Sequence, residues 1–171
     1  LFGLVPQDIA LFPTMTAYEN LKILGGLYGI RKELLEKRID ELLGLFDLSA
    51  SRNSYINRFS GGMKRRVNLI AGLLHAPKIL ILDEPTVGVD AQSRRLILEK
   101  LVEINRSGTT VLFISHYLEE AEQICTEVAF MDNGAIICQG HPSDLRNIYT
   151  SCDSMESMYL LLTGKRMRDN Q

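Results

Sequence analysis

The apolar run Ile79-Leu80-Ile81-Leu82 stops abruptly at Asp83-Glu84. Four apolar residues bounded by charge are far short of the ~20 that span a bilayer. They suit a buried strand. The surroundings support that reading. Upstream, a helix is predicted from about Gly62 to His75, and Pro77 leads into the strand Ile79–Asp83. Downstream, a helix from about Ala91 to Ser107 is closed by Gly108 and leads to a strand over Thr110–Ile114, with a helix near Tyr117–Cys125 after it. Strands alternating with helices of this length imply a parallel sheet with right-handed crossovers.

The N-terminal part reads differently. Leu4-Val5-Pro6-Gln7 is strand-like. Thr16-Ala17-Tyr18-Glu19 is a capping box, followed by Leu21, Leu24 and Leu27/Tyr28 at helical spacing and by Gly29 as a stop. A second, amphipathic helix is predicted over about Lys32 to Phe46, with Leu35, Ile39, Leu42/Leu43 and Phe46 on its apolar face. A polar linker, Ser49 to Asn57, ends this helical region. Near the C-terminus, Glu127–Met131 and Ala135–Gln139 flank Asn133-Gly134, a tight hairpin turn. Pro142 opens one more helix, and Met155–Leu162 reads as a short last one. The expected organisation is a strand and loop over 1–8, a helical subdomain over 9–57, an α/β core over 58–150, and a terminal helix and tail over 151–171.

Composition narrows the function. With 46% hydrophobic and 23% charged residues the chain has the make-up of an ordinary globular domain. Its net charge of −2 gives no reason to expect a nucleic-acid partner. Cys125, Cys138 and Cys152 are odd in number and widely spaced, forming neither a zinc pattern nor a disulfide framework. They read as buried or partly buried thiols in a reducing cytosol. His75 reads as a complement to a helix dipole and His141 as a solvated loop residue.

Three places carry chemistry. Asp83 and Glu84 stand where open α/β sheets put their ligand site, at the C-terminal end of a buried strand. The first suits holding Mg²⁺ through water, and the second suits orienting or activating a water that attacks a γ-phosphate. The alternative is a strand ending in an ordinary charged turn. Ser60-Gly61-Gly62-Met63 opens a helix, where backbone amides and the helix dipole favour a phosphate. It is equally readable as a loop with an N-cap. His116 follows the next strand, on the same sheet edge as the carboxylates, which favours a γ-phosphate contact over a structural role.

Taken in order, these residues resemble the ATP-binding-cassette family. Val5-Pro6-Gln7-Asp8 is similar to its Q-loop, Ser60-Gly61-Gly62-Met63-Lys64 to its signature motif and Ile79–Asp83 to its Walker B strand. Val87-Gly88-Val89-Asp90 resembles the D-loop, and His116 the switch histidine. The resemblance implies a P-loop NTPase-like parallel sheet with helices on both faces and an inserted helical subdomain. It implies ATP and Mg²⁺ as ligands. Glu84 would be the general base, Asp83 and Gln7 the metal contacts, and Gln7 and His116 would join Glu84 in catalysis. Ser60, Gly61, Gly62, Met63 and Asp90 would meet nucleotide across a head-to-tail dimer with a second ATP-binding subunit. Transmembrane permease subunits would be the other partners, placing the protein on the cytoplasmic membrane face. Phe59-Ser60-Gly61-Gly62-Met63-Lys64-Arg65-Arg66 and the tail Ser154–Gly164 resemble subunits of drug-, polysaccharide-, ion- and lipid-exporting transporters.

The phosphate-cradling motif Gly-x-x-x-x-Gly-Lys-Ser/Thr occurs nowhere in the 171 residues; Gly164-Lys165-Arg166 fails in spacing and in its last residue. The chain is therefore expected to be the C-terminal part of such a subunit, without its N-terminal strands. Alone it is expected neither to bind ATP tightly nor to turn it over, and micromolar ATP affinity in a titration would overturn that. Two other readings are a soluble, non-transport cassette ATPase and a non-catalytic module that completes a partner's site. Glu84 and His116 argue against the module, which would need neither.

Overall fold

A computed structural model describes residues 2–164 of the chain. It divides between Ile114 and Ser115 into two compact units. The first contains β1 (Phe2–Val5), α1 (Ala17–Leu27), α2 (Lys32–Leu45), α3 (Gly61–Leu73), β2 (Ile79–Asp83), α4 (Ala91–Arg106) and β3 (Thr110–Ile114).

The three strands form a parallel sheet in the order β1-β2-β3, so the apolar run that ends in Asp83 is the central strand. Val5 lies opposite Leu82, and Asp83 opposite Ile114. β1 ends earlier than the strand-like segment Leu4–Gln7 suggests. Pro6 has no N–H with which to extend the ladder, and the chain leaves the sheet there.

One face of the sheet carries Gly3, Val5, Leu80 and Leu82, all buried. α3 lies directly on it. A Cβ added to Gly72 would stand 2.6 Å from Val5 Cγ2, and one added to Gly3 would stand 2.3 Å from the Gly72 carbonyl oxygen. Strand and helix backbones therefore approach to a distance that only glycine allows. α4 packs against α3 and β3. The opposite face presents Phe2, Leu4, Ile79, Leu112 and Ile114, each between 45% and 62% exposed. Of the two helical layers expected, the described elements of this unit supply one.

The helical subdomain is built as its caps dictate. Thr16 Oγ1 accepts from the Glu19 amide at 3.1 Å, and Glu19 Oε2 accepts from the Thr16 amide at 2.8 Å. Gly29, at φ +70°, follows the end of α1. Leu35, Ile39, Leu43 and Phe46 are buried together with Ala17 and Leu21. α2 and α3 cap each other's C-termini. Arg38 Nη1 donates to the Leu74 carbonyl at 2.6 Å, and Arg66 Nη1 to the Phe46 carbonyl at 2.9 Å. Each guanidinium thus meets carbonyls that their own helix leaves unpaired. His75 directly follows Leu74, the C-cap of α3. Its ring stacks on Tyr28 with centroids 4.0 Å apart, and its Nε2 is 3.0 Å from the Phe2 carbonyl oxygen.

The second unit contains α5 (Leu118–Ile124), β4 (Val128–Asp132), β5 (Ala135–Gly140), α6 (Pro142–Ile148) and α7 (Met155–Thr163). β4 and β5 form an antiparallel hairpin of their own, with Asn133 and Gly134 at φ +48° and +80° in the turn. The boundary between units falls inside the expected 58–150 core because this hairpin is not a member of the parallel sheet. Val128, Phe130, Leu145, Met155 and Met158 make its core, and the three free cysteines are half-buried against it. Burial pushes the Cys125 thiol up from its ordinary range. His141 is exposed, as a loop residue would be, yet its Nδ1 accepts from the Ser143 amide at 3.2 Å and so caps α6.

Candidate functional site

The β2 ladder runs one residue past the strand. The Glu84 amide donates to the Ile114 carbonyl at 2.9 Å, which holds the backbone of both acidic residues against β3. The chain then reverses at once. Glu84 takes φ +48°, the Val87 amide donates to the Glu84 carbonyl at 3.3 Å, and Gly88 takes φ +70°. A left-handed conformation costs a residue with a side chain about 1–2 kcal/mol, and such strain gathers at functional sites. Asp83 and Glu84 are half-buried, whereas Pro85 and Thr86 are buried beneath the turn.

The turn delivers Asp90 to the start of α4. Its Oδ1 accepts from the Ser93 amide at 2.9 Å. That bond holds the Asp90 carboxyl below its ordinary pKa, because it is stronger to the charged form.

At the start of α3, Ser60 is both loop residue and N-cap: its Oγ accepts from the Met63 amide at 3.2 Å. Ser60 and Gly61 are exposed, Met63 is half-buried and Gly62 is buried. A Cβ on Gly62 would fall 2.3 Å from Ser93 Oγ and 3.0 Å from Asp90 Oδ2; one on Gly61 would lie 3.5 Å from the Gly88 carbonyl oxygen. The loops around residues 60–62 and 88–93 therefore abut, glycine against helix cap.

Gln7 is exposed, two residues past β1. Its neighbours are tied to α3. Arg65 Nη1 donates to the Pro6 carbonyl at 3.1 Å, and Asn68 Nδ2 lies 3.4 Å from the Pro6 and 3.5 Å from the Asp8 carbonyl oxygens. Asn68 Oδ1 accepts from the Ala10 amide at 3.2 Å. Burial lowers the pKa of the Arg65 guanidinium, and the charge of Asp8 opposes that shift. His116 belongs to the second unit. There it is half-buried, with its ring centroid 4.2 Å from that of Tyr117.

The first unit thus brings Gly62 to Asp90 and Gly61 to Gly88, and ties α3 to the loop that carries Gln7. Arg65, Asn68 and Ser93 complete these contacts and are not among the residues singled out from the sequence. Their signal was present but faint: Arg65 and Asn68 are polar residues three apart on an otherwise apolar helix face. Among the described residues no group of three or more His, Cys, Asp or Glu stands together as a metal cage. A lone carboxylate can still serve Mg²⁺, which keeps waters and takes substrate phosphates as ligands.

A parallel sheet whose central strand ends in two acidic residues, with helices packed on it and a helical subdomain inserted after its first strand, is the architecture of the P-loop NTPase class. Within that class the chain belongs to the ABC transporter family, whose model matches residues 1–87. It is 48% identical over 143 residues to the linearmycin resistance ATP-binding protein LnrL of Bacillus subtilis, covering 84% of this chain and 46% of that protein. It is 40% identical over 154 residues to the Nod factor export ATP-binding protein I of Ralstonia nicotianae, covering 90% of this chain and 48% of that one. A solved structure described as an ATP-binding subunit of an ABC transporter superposes with a TM-score of 0.81 at 29% identity, covering 95% of this chain and 68% of that chain. The chain spans about half the length of the curated relatives it matches.

Proposed function

We propose that this chain supplies the signature, Walker B and D-loop parts of the ATP-hydrolysing subunit of an ABC exporter. The observation that carries the proposal is the Asp83-Glu84 pair at the end of the central parallel strand, with Glu84 in a left-handed turn. The relatives named for linearmycin resistance and Nod factor export support the export side.

In this reading Glu84 takes the proton of the water that attacks the γ-phosphate. Asp83 and Gln7 hold Mg²⁺, which neutralises phosphate charge when bound. His116 contacts the γ-phosphate. The N-terminus of α3, with Ser60, Gly61, Gly62 and Met63, presents amides and a hydroxyl to ATP held by a second ATP-binding subunit, and Asp90 stands beside them at that interface. The dimer works against transmembrane permease subunits, from the cytoplasmic face of the membrane. Among the described residues no helix is long and apolar enough to cross a membrane, which suits a subunit acting from the side.

The test is Glu84→Gln in the intact ATP-binding subunit. ATP binding is retained and turnover falls by about 10²- to 10⁴-fold, the range a general base contributes. Turnover within error of the wild type would sink the assignment of Glu84.

A further inference from the structure

We propose that Arg65 and Asn68 are positioning residues that fix the Gln7 loop to α3, so that Gln7 and the signature N-terminus move as one body. The inference rests on the reading of Gln7 given above, and it adds residues and a coupling that reading does not contain.

The segment after β1 belongs to neither strand nor helix, and Gln7 itself is exposed. Such a loop tip should be loosely held. Instead, the carbonyl before Gln7 and the carbonyl after it both accept from α3, and the amide of Ala10 donates back to it. Two side chains do this, and they stand three residues apart on one helix face. They reach backbone 58 to 62 residues away in sequence, so the link joins parts of the fold that the chain itself leaves free.

The identity of the residues points the same way. Arg65 is 5% exposed and Asn68 is 3% exposed. For packing alone, an apolar residue of similar volume would serve as well or better, because a buried guanidinium loses its hydration. A planar fork gains from directional bonds to fixed acceptors, and Pro6 offers one. Asn68 uses its amide at both ends, as donor and as acceptor. Arg65 lies one turn from Gly62, and Gly62 is seated against Ser93. A shift of the first turn of α3 therefore carries the backbone around Gln7 with it.

The experiment uses the intact ATP-binding subunit with Arg65→Met, Arg65→Lys, Asn68→Leu and Gln7→Ala, alone and with Arg65→Met combined with Gln7→Ala. Arg65→Met and Asn68→Leu are expected to speed hydrogen exchange at amides 7–10 while leaving α4 unchanged. Arg65→Met is expected to lower kcat about tenfold, as loss of a residue that orients a ligand group does, while KM for MgATP moves less than about threefold. Arg65→Lys keeps a donor and recovers part of the loss. The double variant loses no more than Gln7→Ala alone. Unchanged exchange in both Arg65→Met and Asn68→Leu overturns the staple. Multiplying kcat losses in the double variant overturn its action through Gln7. A Gln7→Ala subunit with wild-type kcat and Mg²⁺ dependence sinks the reading of Gln7, and with it the catalytic half of the proposal. If circular dichroism shows Arg65→Met unfolded, Asn68→Leu takes its place in every comparison.

Discussion

Gly62 touches Ser93 so closely that a Cβ on the glycine would stand 2.3 Å from the serine Oγ and 2.6 Å from its Cβ. The first turn of α3 and the first turn of α4 are therefore fitted to each other through a glycine with no room to grow. Both neighbours on the α4 side belong to its cap, since Asp90 accepts the Ser93 amide. Gly62→Ala is expected to cost about 1–3 kcal/mol, the usual penalty of overpacking. Ser93→Gly removes the clashing atoms, so the pair Gly62→Ala/Ser93→Gly should be more stable than the two single losses added together. Urea denaturation of the four proteins measures the coupling, and strictly additive losses would refute the contact.

The Asp90 cap should be visible in pH. Its carboxyl is held below the ordinary aspartate value by the Ser93 amide. A group whose folded pKa is depressed contributes stability that is present above its unfolded pKa, about 3.9, and is lost as pH falls through the folded value. Asp90→Asn retains an acceptor for the Ser93 amide and cannot titrate. Its melting temperature should therefore fall less steeply than that of the wild type below about pH 4. Parallel curves for the two proteins through that window would remove the cap from the acid response.

The exchange of arginines between α2 and α3 makes a third expectation. Arg38 and Arg66 each give a guanidinium bond to a terminal carbonyl of the other helix. Arg38→Ala and Arg66→Ala should each cost about 1 kcal/mol. They bond opposite ends of the helix pair and share no partner, so the double variant should lose the sum. A denaturation midpoint that moves with each change at constant slope is the expected record. Wild-type midpoints in both single variants would show that water serves these carbonyls equally well.

How much of this could be read from residues alone depended on whether the signal was local. The Ile79–Asp83 strand, the Thr16/Glu19 box and the Asn133-Gly134 turn are written in adjacent residues, and each stands within a residue or so of its expected place. Ser60 was legible as an N-cap for the same reason. The end of β1 is not legible in apolar patterning, which runs through Pro6 although that residue has no N–H for the ladder. His75 does follow the C-cap of α3, and its stacking on Tyr28 is a contact that proximity in sequence hides. The contacts of Arg65, Asn68 and Ser93 are not legible in the sequence, because periodicity tells which face of a helix is buried and nothing of what that face meets. Their partners lie on other elements, and for the α3 pair those are 58 to 62 residues away. The break at Ser115 was hidden likewise, since strand pairing is a choice among distant segments.

Glu84 offers the sharpest test of whether the turn after β2 is shaped for chemistry or merely tolerated. Its φ of +48° puts a side-chain-bearing residue where glycine is at ease, while its amide still completes the ladder to Ile114. Comparing Glu84→Ala with Glu84→Gly separates backbone from side chain, because both lack the carboxylate and every contact it makes. If the left-handed backbone is strained, the glycine variant should exceed the alanine variant in stability by about 1 kcal/mol, even after glycine's greater freedom in the unfolded chain is counted. In the intact subunit both should lose turnover to the same depth. A strained backbone bearing a carboxylate that turnover cannot spare means that the position is held for what the carboxylate does. Equal stability of the two variants would show instead that the turn is relaxed, and that the left-handed geometry carries no information about function.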